Sequence, residues 1–237
     1  MPLADRVVLI TGATGGLGTV VTRRFAETGA RLGLVGTDRE RLVAVASSAG
    51  LAEDRWVAGV GDLTDRAAAE AVVATVVDRF GRVDVLLHLV GGYAGGGPIA
   101  SFADDDLHRM LGQHLWSTLN VARAVVPGMA ERGWGRVVAV SASTAVTTPP
   151  NLAAYSVAKA AEETLLRTLA REVAAHGVTV NVLAGRKIDT DHERETAPSP
   201  KNAWWTTPEE IASAMRFLCA DEAAAITGAR IALDGRV

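Results

Sequence analysis

The chain has 237 residues, 49% of them apolar, and a formal net charge of −3. That length and composition suit one domain with a large core, and the weak negative charge leaves no basic footprint for nucleic acid. A single cysteine, Cys219, excludes an intrachain disulfide. No run approaches the roughly 18 apolar residues of a membrane span, and the N-terminus lacks a signal-peptide layout, so a cytoplasmic protein with no membrane partner is expected.

In chain order, short apolar runs alternate with longer amphipathic ones. A strand over 6–10 precedes a helix over 16–27; a strand over 31–35 precedes a helix over 39–48. Strands over 55–60 and 83–89 flank a helix over 67–79. A long helix over 104–132 leads to a strand over 135–140. A helix over 153–175, a strand over 178–183, a helix over 208–220 and a strand over 230–233 complete the series. This alternation predicts a doubly wound α/β fold, with about seven parallel strands and helices on both faces. Gly29, Gly81 and Gly177 stand where helices should end, and Thr207-Pro208-Glu209-Glu210 reads as a helix start. The stretch 191–206, rich in Pro and charge, interrupts the pattern and is expected to be a lid over a substrate.

Two motifs carry chemistry. The first is Thr11-Gly12-Ala13-Thr14-Gly15-Gly16-Leu17-Gly18, at the junction of the first strand and helix. Glycines there allow a tight turn and close approach to a pyrophosphate, and a helix N-terminus offers free N–H groups and a positive dipole end. The second is Tyr155 and Lys159, four residues apart on a predicted helix and therefore on one face. A nearby cation favours the phenolate, so the pair could move a proton to or from an alcohol or carbonyl oxygen.

With these motifs the sequence resembles the short-chain dehydrogenase/reductases over essentially its full length. Thr11-Gly12 with Gly16 and Gly18 matches that family's cofactor motif, and Tyr155 with Lys159 its catalytic motif. Asp62 in Gly61-Asp62-Leu63 matches the adenine-contacting Asp. Asn181 and the Ile188–Thr190 segment match the late strand, and Thr227-Gly228 and Asp234-Gly235 the last one. The resemblance implies a single Rossmann-like domain over 1–237 with sheet order 3-2-1-4-5-6-7. It also implies hydride transfer between a nicotinamide and a carbonyl or alcohol, with Tyr155 as general acid and base. Thr11, Gly12, Thr14, Gly15, Gly16, Leu17 and Gly18 would shape the diphosphate site. Asp62 and Leu63 would hold adenine, and Gly91 and Lys159 the nicotinamide ribose. Ile188 and Thr190 would hold the carboxamide end. No metal is expected.

Cofactor choice turns on the end of the second strand. An acid there would hold the ribose hydroxyls of NAD, but this chain has Gly36, then Thr37, Asp38 and Arg39. Thr37 and Arg39 could meet a 2′-phosphate, which favours NADP(H). Gly15 and a swing of Asp38 toward the ribose leave NAD(H) open, and Arg39 could be an ordinary surface charge.

The chain departs from the family pattern at three places. The Ser expected thirteen residues before the Tyr is Ala142, flanked by Ser141 and Ser143; Ser143, at the strand end, is the expected substitute. The helix Asn that anchors a proton-relay water is His114, which could relay protons itself. The Pro-Gly before the late segment is Gly185-Arg186, placing Arg186 where an anionic substrate could meet it. His88 and Gly91 to Gly97 are expected near the nicotinamide ribose. The glycine-rich 90–96 segment and the missing Ser are also similar to dihydropteridine reductases. The altered positions would equally suit a catalytically degenerate nucleotide-binding protein. Leu111, Leu115, Leu119, Val121 and Val125, with Leu165, Leu166 and Leu169, make two helices apolar on more than one face, so a homodimer or homotetramer is expected.

Overall fold

The computed structural model describes residues 3–234, so Gly235 of the last marker lies outside the described residues. Seven parallel strands form one sheet: β1 (Val7–Thr11), β2 (Arg31–Gly36), β3 (Trp56–Val60), β4 (Val85–His88), β5 (Gly135–Ala142), β6 (Val178–Gly185) and β7 (Arg230–Leu233). Their order is β3-β2-β1-β4-β5-β6-β7, as the resemblance implied. β1 is fully buried because it pairs on both sides, with β2 (Val7 opposite Arg31) and with β4 (Val8 opposite Val85).

Alternation along the strands divides the core into two layers. Val8 and Ile10 of β1 and Val138 of β5 face α1 (Gly16–Ala26), α2 (Arg39–Ser48) and the C-terminal helix Pro208–Cys219. Val7 and Leu9, with Val137 and Ala139, face α3 (Arg66–Phe80) and the helices Ser117–Glu131 and Ala153–Val173. The glycines at expected helix ends all take left-handed backbone, with φ of 86° at Gly29, 80° at Gly81 and 68° at Gly177. Thr207 and Glu210 form a reciprocal capping box with Pro208 in the first turn.

The expected helix over 104–132 is broken. α4 (Asp104–Leu111) passes into a π-turn (Gly112–Trp116), and α5 (Ser117–Glu131) follows. The Ser117 N–H donates to the Gly112 carbonyl, five residues back. The hydroxyls of Ser117 and Thr118 donate back to the Gln113 and His114 carbonyls, four residues earlier. His114 lies within this π-turn.

The remaining helices are α6 (Thr144–Thr147), α7 (Ala153–Val173), α8 (Glu193–Thr196) and α9 (Pro208–Cys219). Asn181 serves the fold rather than the site. Its amide donates to the Ile226 carbonyl at 2.7 Å and its oxygen accepts from the Ala229 N–H at 3.1 Å, tying β6 to the approach of β7. Among the described residues no helix is long and apolar enough to cross a membrane.

Candidate active site

Tyr155 and Lys159 stand one turn apart near the start of α7 and line a cleft of about 380 Å³ at the carboxyl ends of β1, β4, β5 and β6. Lys159 is buried. Its ammonium donates to the Val140 carbonyl at 2.7 Å and to Glu162 Oε2 at 2.8 Å. Glu162 is buried too, with Thr118 Oγ1 at 3.1 Å from its other oxygen. Burial pushes the Glu162 carboxyl above its ordinary range, and Lys159 pulls it part of the way back.

The expected lowering of the tyrosine pKa by Lys159 is therefore corrected. Burial first, then the Glu162 charge and then Tyr93 push the Tyr155 phenol up to about 12. The Lys159 charge is matched by Glu162 instead of acting on the phenol alone.

His114 reaches this cluster from the π-turn. Its Nε2–H donates to the Gly92 carbonyl at 3.0 Å, which leaves Nδ1 as an acceptor. That buried Nδ1 has no hydrogen-bond partner among the described residues and lies 3.9 Å from Glu162 Oε2. Burial and then Lys159 lower the His114 pKa to about 3, against the opposing effect of the Gly92 hydrogen bond. It stays neutral and does not titrate near pH 7 as expected. A Cβ on Gly91 would come within 2.7 Å of His114 Cε1, so glycine at 91 is what admits this ring. The Tyr155 ring meets His114 and Tyr93 edge-on, with centroids 5.5 and 5.3 Å away.

The glycine turn closes on itself. Gly12 has φ of 67°, and a Cβ on Gly18 would fall 2.2 Å from the Gly12 carbonyl oxygen. Gly12, Gly15, Gly16, Leu17 and Gly18 all line the cleft. Gly15, at the N-cap of α1, has no side chain to occupy the first-turn N–H groups. An uncapped helix N-terminus beside a turn that only glycine can close fits the diphosphate of a dinucleotide. Thr190 packs over this turn, its Cγ2 2.8 Å from where a Gly16 Cβ would lie. Ile188 lines the cleft beside it.

Similarity to known proteins agrees with this geometry. The short chain dehydrogenase family matches residues 6–201. Dehydrogenase/reductase SDR family member 4 of Bos taurus is 33% identical over 99% of this chain and 88% of its own length. A 3-oxoacyl-[acyl-carrier-protein] reductase of Thermotoga maritima is 31% identical, over 99% of this chain and 98% of its own. The crystal structure of a short chain dehydrogenase from Bacillus anthracis superposes with a TM-score of 0.89 at 26% identity, covering 99% of this chain and 97% of that one. The chain belongs to the short-chain dehydrogenase/reductase family. It is thus an oxidoreductase acting on CH–OH or C=O groups, in a family that generally uses NAD(P)(H).

In this dehydrogenase/reductase two expected site residues lie beneath the cleft. Thr11 is fully buried; its Oγ1 accepts from the Leu89 N–H at 3.2 Å and its hydroxyl donates to His88 Nδ1 at 2.9 Å. His88 Nε2–H then donates to Ser117 Oγ at 3.3 Å. Thr11 and His88 therefore support the turn from below. Burial, then Lys159 and His114, hold the His88 pKa at about 3.

A second hollow of about 310 Å³ continues from the cleft, sharing Gly12, Gly15, Leu89, Val90 and Gly91 with it. Thr14, Thr37, Asp62 and Leu63 line it. Arg39 does not. Arg41 does, with its guanidinium donating to the Thr14 carbonyl at 2.9 Å. Asp38 caps α2, its Oδ1 accepting from the N–H groups of Glu40 and Arg41. The sequence reading missed Arg41 because the start of α2 was legible but its first-turn direction was not.

Of the two serines flanking Ala142, Ser141 lies on the cleft wall with Ala142, while Ser143 opens α6 outside that wall. The Ser141 hydroxyl is turned into the protein and has no hydrogen-bond partner among the described residues. Arg186 lines the cleft, 3.7 Å from Asp234 Oδ1 and 5.2 Å from the centroid of Trp204. The segment 191–206 is tied at its root. The Asp189 N–H donates to the Thr206 carbonyl at 2.9 Å, and the Thr206 N–H donates to Lys187 at 3.1 Å. The Asp189 carboxylate caps α8, and Arg194 clasps Glu210 at 2.7 Å. Trp205 is buried under the Lys187 ammonium, so it packs the segment down instead of facing a ligand.

Both buried histidines make stability depend on acid. Their folded pKa lies near 3 and their ordinary value is 6.5, so the unfolded chain binds more protons between these limits. Each contributes stability that is present above pH 6.5 and lost as pH falls toward 3, at about 1.4 kcal/mol per pH unit within that window. Replacing His114 with Asn should reduce the pH slope of the unfolding free energy by about 1.4 kcal/mol per unit between pH 6 and 5, measured by urea denaturation.

Proposed function

We propose that this enzyme transfers hydride between NADP(H) and a small carbonyl or alcohol substrate, with Tyr155 as the acid–base group. The observation that carries the reading is Tyr155 on the wall of the cleft, one turn from a buried Lys159 and across from the uncapped glycine turn. When bound, the nicotinamide supplies or accepts the hydride. The α1 N-terminus binds the diphosphate, Asp62 and Leu63 hold adenine, and Gly91, Ile188 and Thr190 shape the nicotinamide end. In reduction the Tyr155 hydroxyl gives its proton to the substrate oxygen, and Lys159 fixes the charge behind it. The segment 191–206 covers the substrate. With Ala142 on the wall, any serine contribution falls to Ser141 through a rotamer change, and Ser143 is outside the wall.

The preference for NADP(H) rests on the second hollow. No carboxylate stands at Gly36 or Thr37, Asp38 is committed as a helix cap, and Arg41 lines the wall beside Thr37. A guanidinium there suits a 2′-phosphate, which it can meet with charge-assisted hydrogen bonds.

A homodimer or homotetramer is also proposed. Leu111, Leu115, Leu119, Leu165 and Leu169 remain only half-buried in one chain, and Trp116 and Val157 are exposed beside them. A cytoplasmic setting agrees with the one cysteine, Cys219, which is buried and unpaired.

Three measurements test these readings. Tyr155→Phe should keep cofactor binding and lower turnover by about 10²–10⁴-fold in a nicotinamide absorbance assay against quinones, ketoacyl thioesters, sugars and pterins. Undiminished turnover would remove Tyr155 from the chemistry, whereas activity on pterins alone would favour the dihydropteridine-like reading. Arg41→Ala should lower kcat/KM with NADPH by about tenfold or more and leave the NADH value within about twofold, as expected for a lost hydrogen bond to a charged group. Light scattering at micromolar concentration should report two or four chains; a monomer would contradict the proposed assembly.

A further inference from the structure

Glu162 has no part in the matched motifs, yet it is buried and hydrogen-bonded behind Tyr155. It lies on α7, three residues after Lys159, with 1% of its side chain exposed. Lys159 donates to its Oε2 at 2.8 Å. Its Oε1 lies 3.1 Å from Thr118 Oγ1, and that hydroxyl lies 2.5 Å from the His114 carbonyl. A hydroxyl has one proton. Thr118 can satisfy the nearer carbonyl or the carboxylate, but not both. The set closes when Glu162 carries a proton on Oε1 and donates it to Thr118, which then donates to His114.

The remaining neighbours leave this balance to Glu162 and Lys159. His114, from the π-turn, presents an unprotonated Nδ1 at 3.9 Å and is neutral. His88, on β4, is neutral and fully buried. Glu163, the next residue on α7, is paired with Arg230 of β7 at 3.0 Å. Tyr155 lies one turn before Lys159, and the Glu162 charge adds to burial in raising the pKa of its phenol.

We propose that Glu162 is a positioning acid of this site, which sets the ionisation of Tyr155 by holding or releasing a proton against Lys159. While Glu162 is protonated, the Lys159 charge is uncompensated and favours the phenolate. Once Glu162 ionises, it cancels that charge and holds the phenol protonated. The inference deepens the acid–base role proposed for Tyr155, and its test reads the phenol directly, without turnover.

The chain has two tyrosines, Tyr93 and Tyr155. In a Tyr93→Phe background, near-ultraviolet absorbance therefore titrates Tyr155 alone. Glu162→Gln keeps the acceptor for Lys159 and a donor for Thr118 but can never be negative. Its phenolate should appear about one pH unit or more below that of the Glu162 parent, in protein shown folded by circular dichroism. Glu162→Met, neutral without the hydrogen bonds, should move the same way. Coincident titrations in parent and variants would overturn the proposal, as would a shift in Glu162→Met alone, since lost packing would then be the cause. If the parent phenol ionises only on alkaline unfolding, Glu162→Gln must ionise while folded, or the proposal fails. A failure here leaves the Tyr155→Phe result standing, and loss of that result leaves this one standing.

Discussion

The cleft is organised around one buried ammonium. Lys159 brings a positive charge into the interface between α7 and the end of β5, and a charge in that position is tolerated only when it is paired and hydrogen-bonded. The Val140 carbonyl and Glu162 meet that demand. In doing so they join α7 to β5, and Glu162 joins α7 to α5 through Thr118. Tyr155, one turn earlier, has its place fixed by these attachments, so its phenol is positioned by bonds it does not itself make.

The same constraint spreads through the neighbouring polar groups. Buried and with a cation nearby, both histidines stay neutral, so each has one donor and one acceptor nitrogen. His88 uses both within a chain from Thr11 to Ser117, which joins the ends of β1 and β4 to the start of α5. His114 uses one only, through Gly92. His114 reaches α7 from within the π-turn, and the Ser117 and Thr118 hydroxyls donate back to the Gln113 and His114 carbonyls beside it. A straight helix over 104–132 would present a different face to the cleft.

Side-chain roles were least legible where they depended on competition for a single group. Asp38 could cap a helix or reach a ribose; the N–H groups of Glu40 and Arg41 claim it. Thr11 could meet a phosphate or support the turn; Leu89 and His88 claim it. Arg39 and Arg41 were equally basic in sequence, and the angle at which α2 leaves β2 puts Arg41 on the hollow. Glu162 had a weak sequence signal, a carboxylate at helical spacing from Lys159 on a face otherwise apolar. Spacing alone could not say that it was buried.

The sequence by itself determined the layered α/β architecture, the strand order through the family resemblance, the glycine turn and the helical spacing of Tyr155 and Lys159. These follow from periodicity, from glycine's access to positive φ and from the fixed geometry of a helix turn, all local properties of the chain. Only the tertiary structure decided which partner each polar group takes, which histidines stay neutral and which arginine lines the second hollow. Those outcomes depend on burial and on groups that meet from distant segments, as when Glu162, Thr118 and His114 converge on Lys159, and no local pattern encodes such distances.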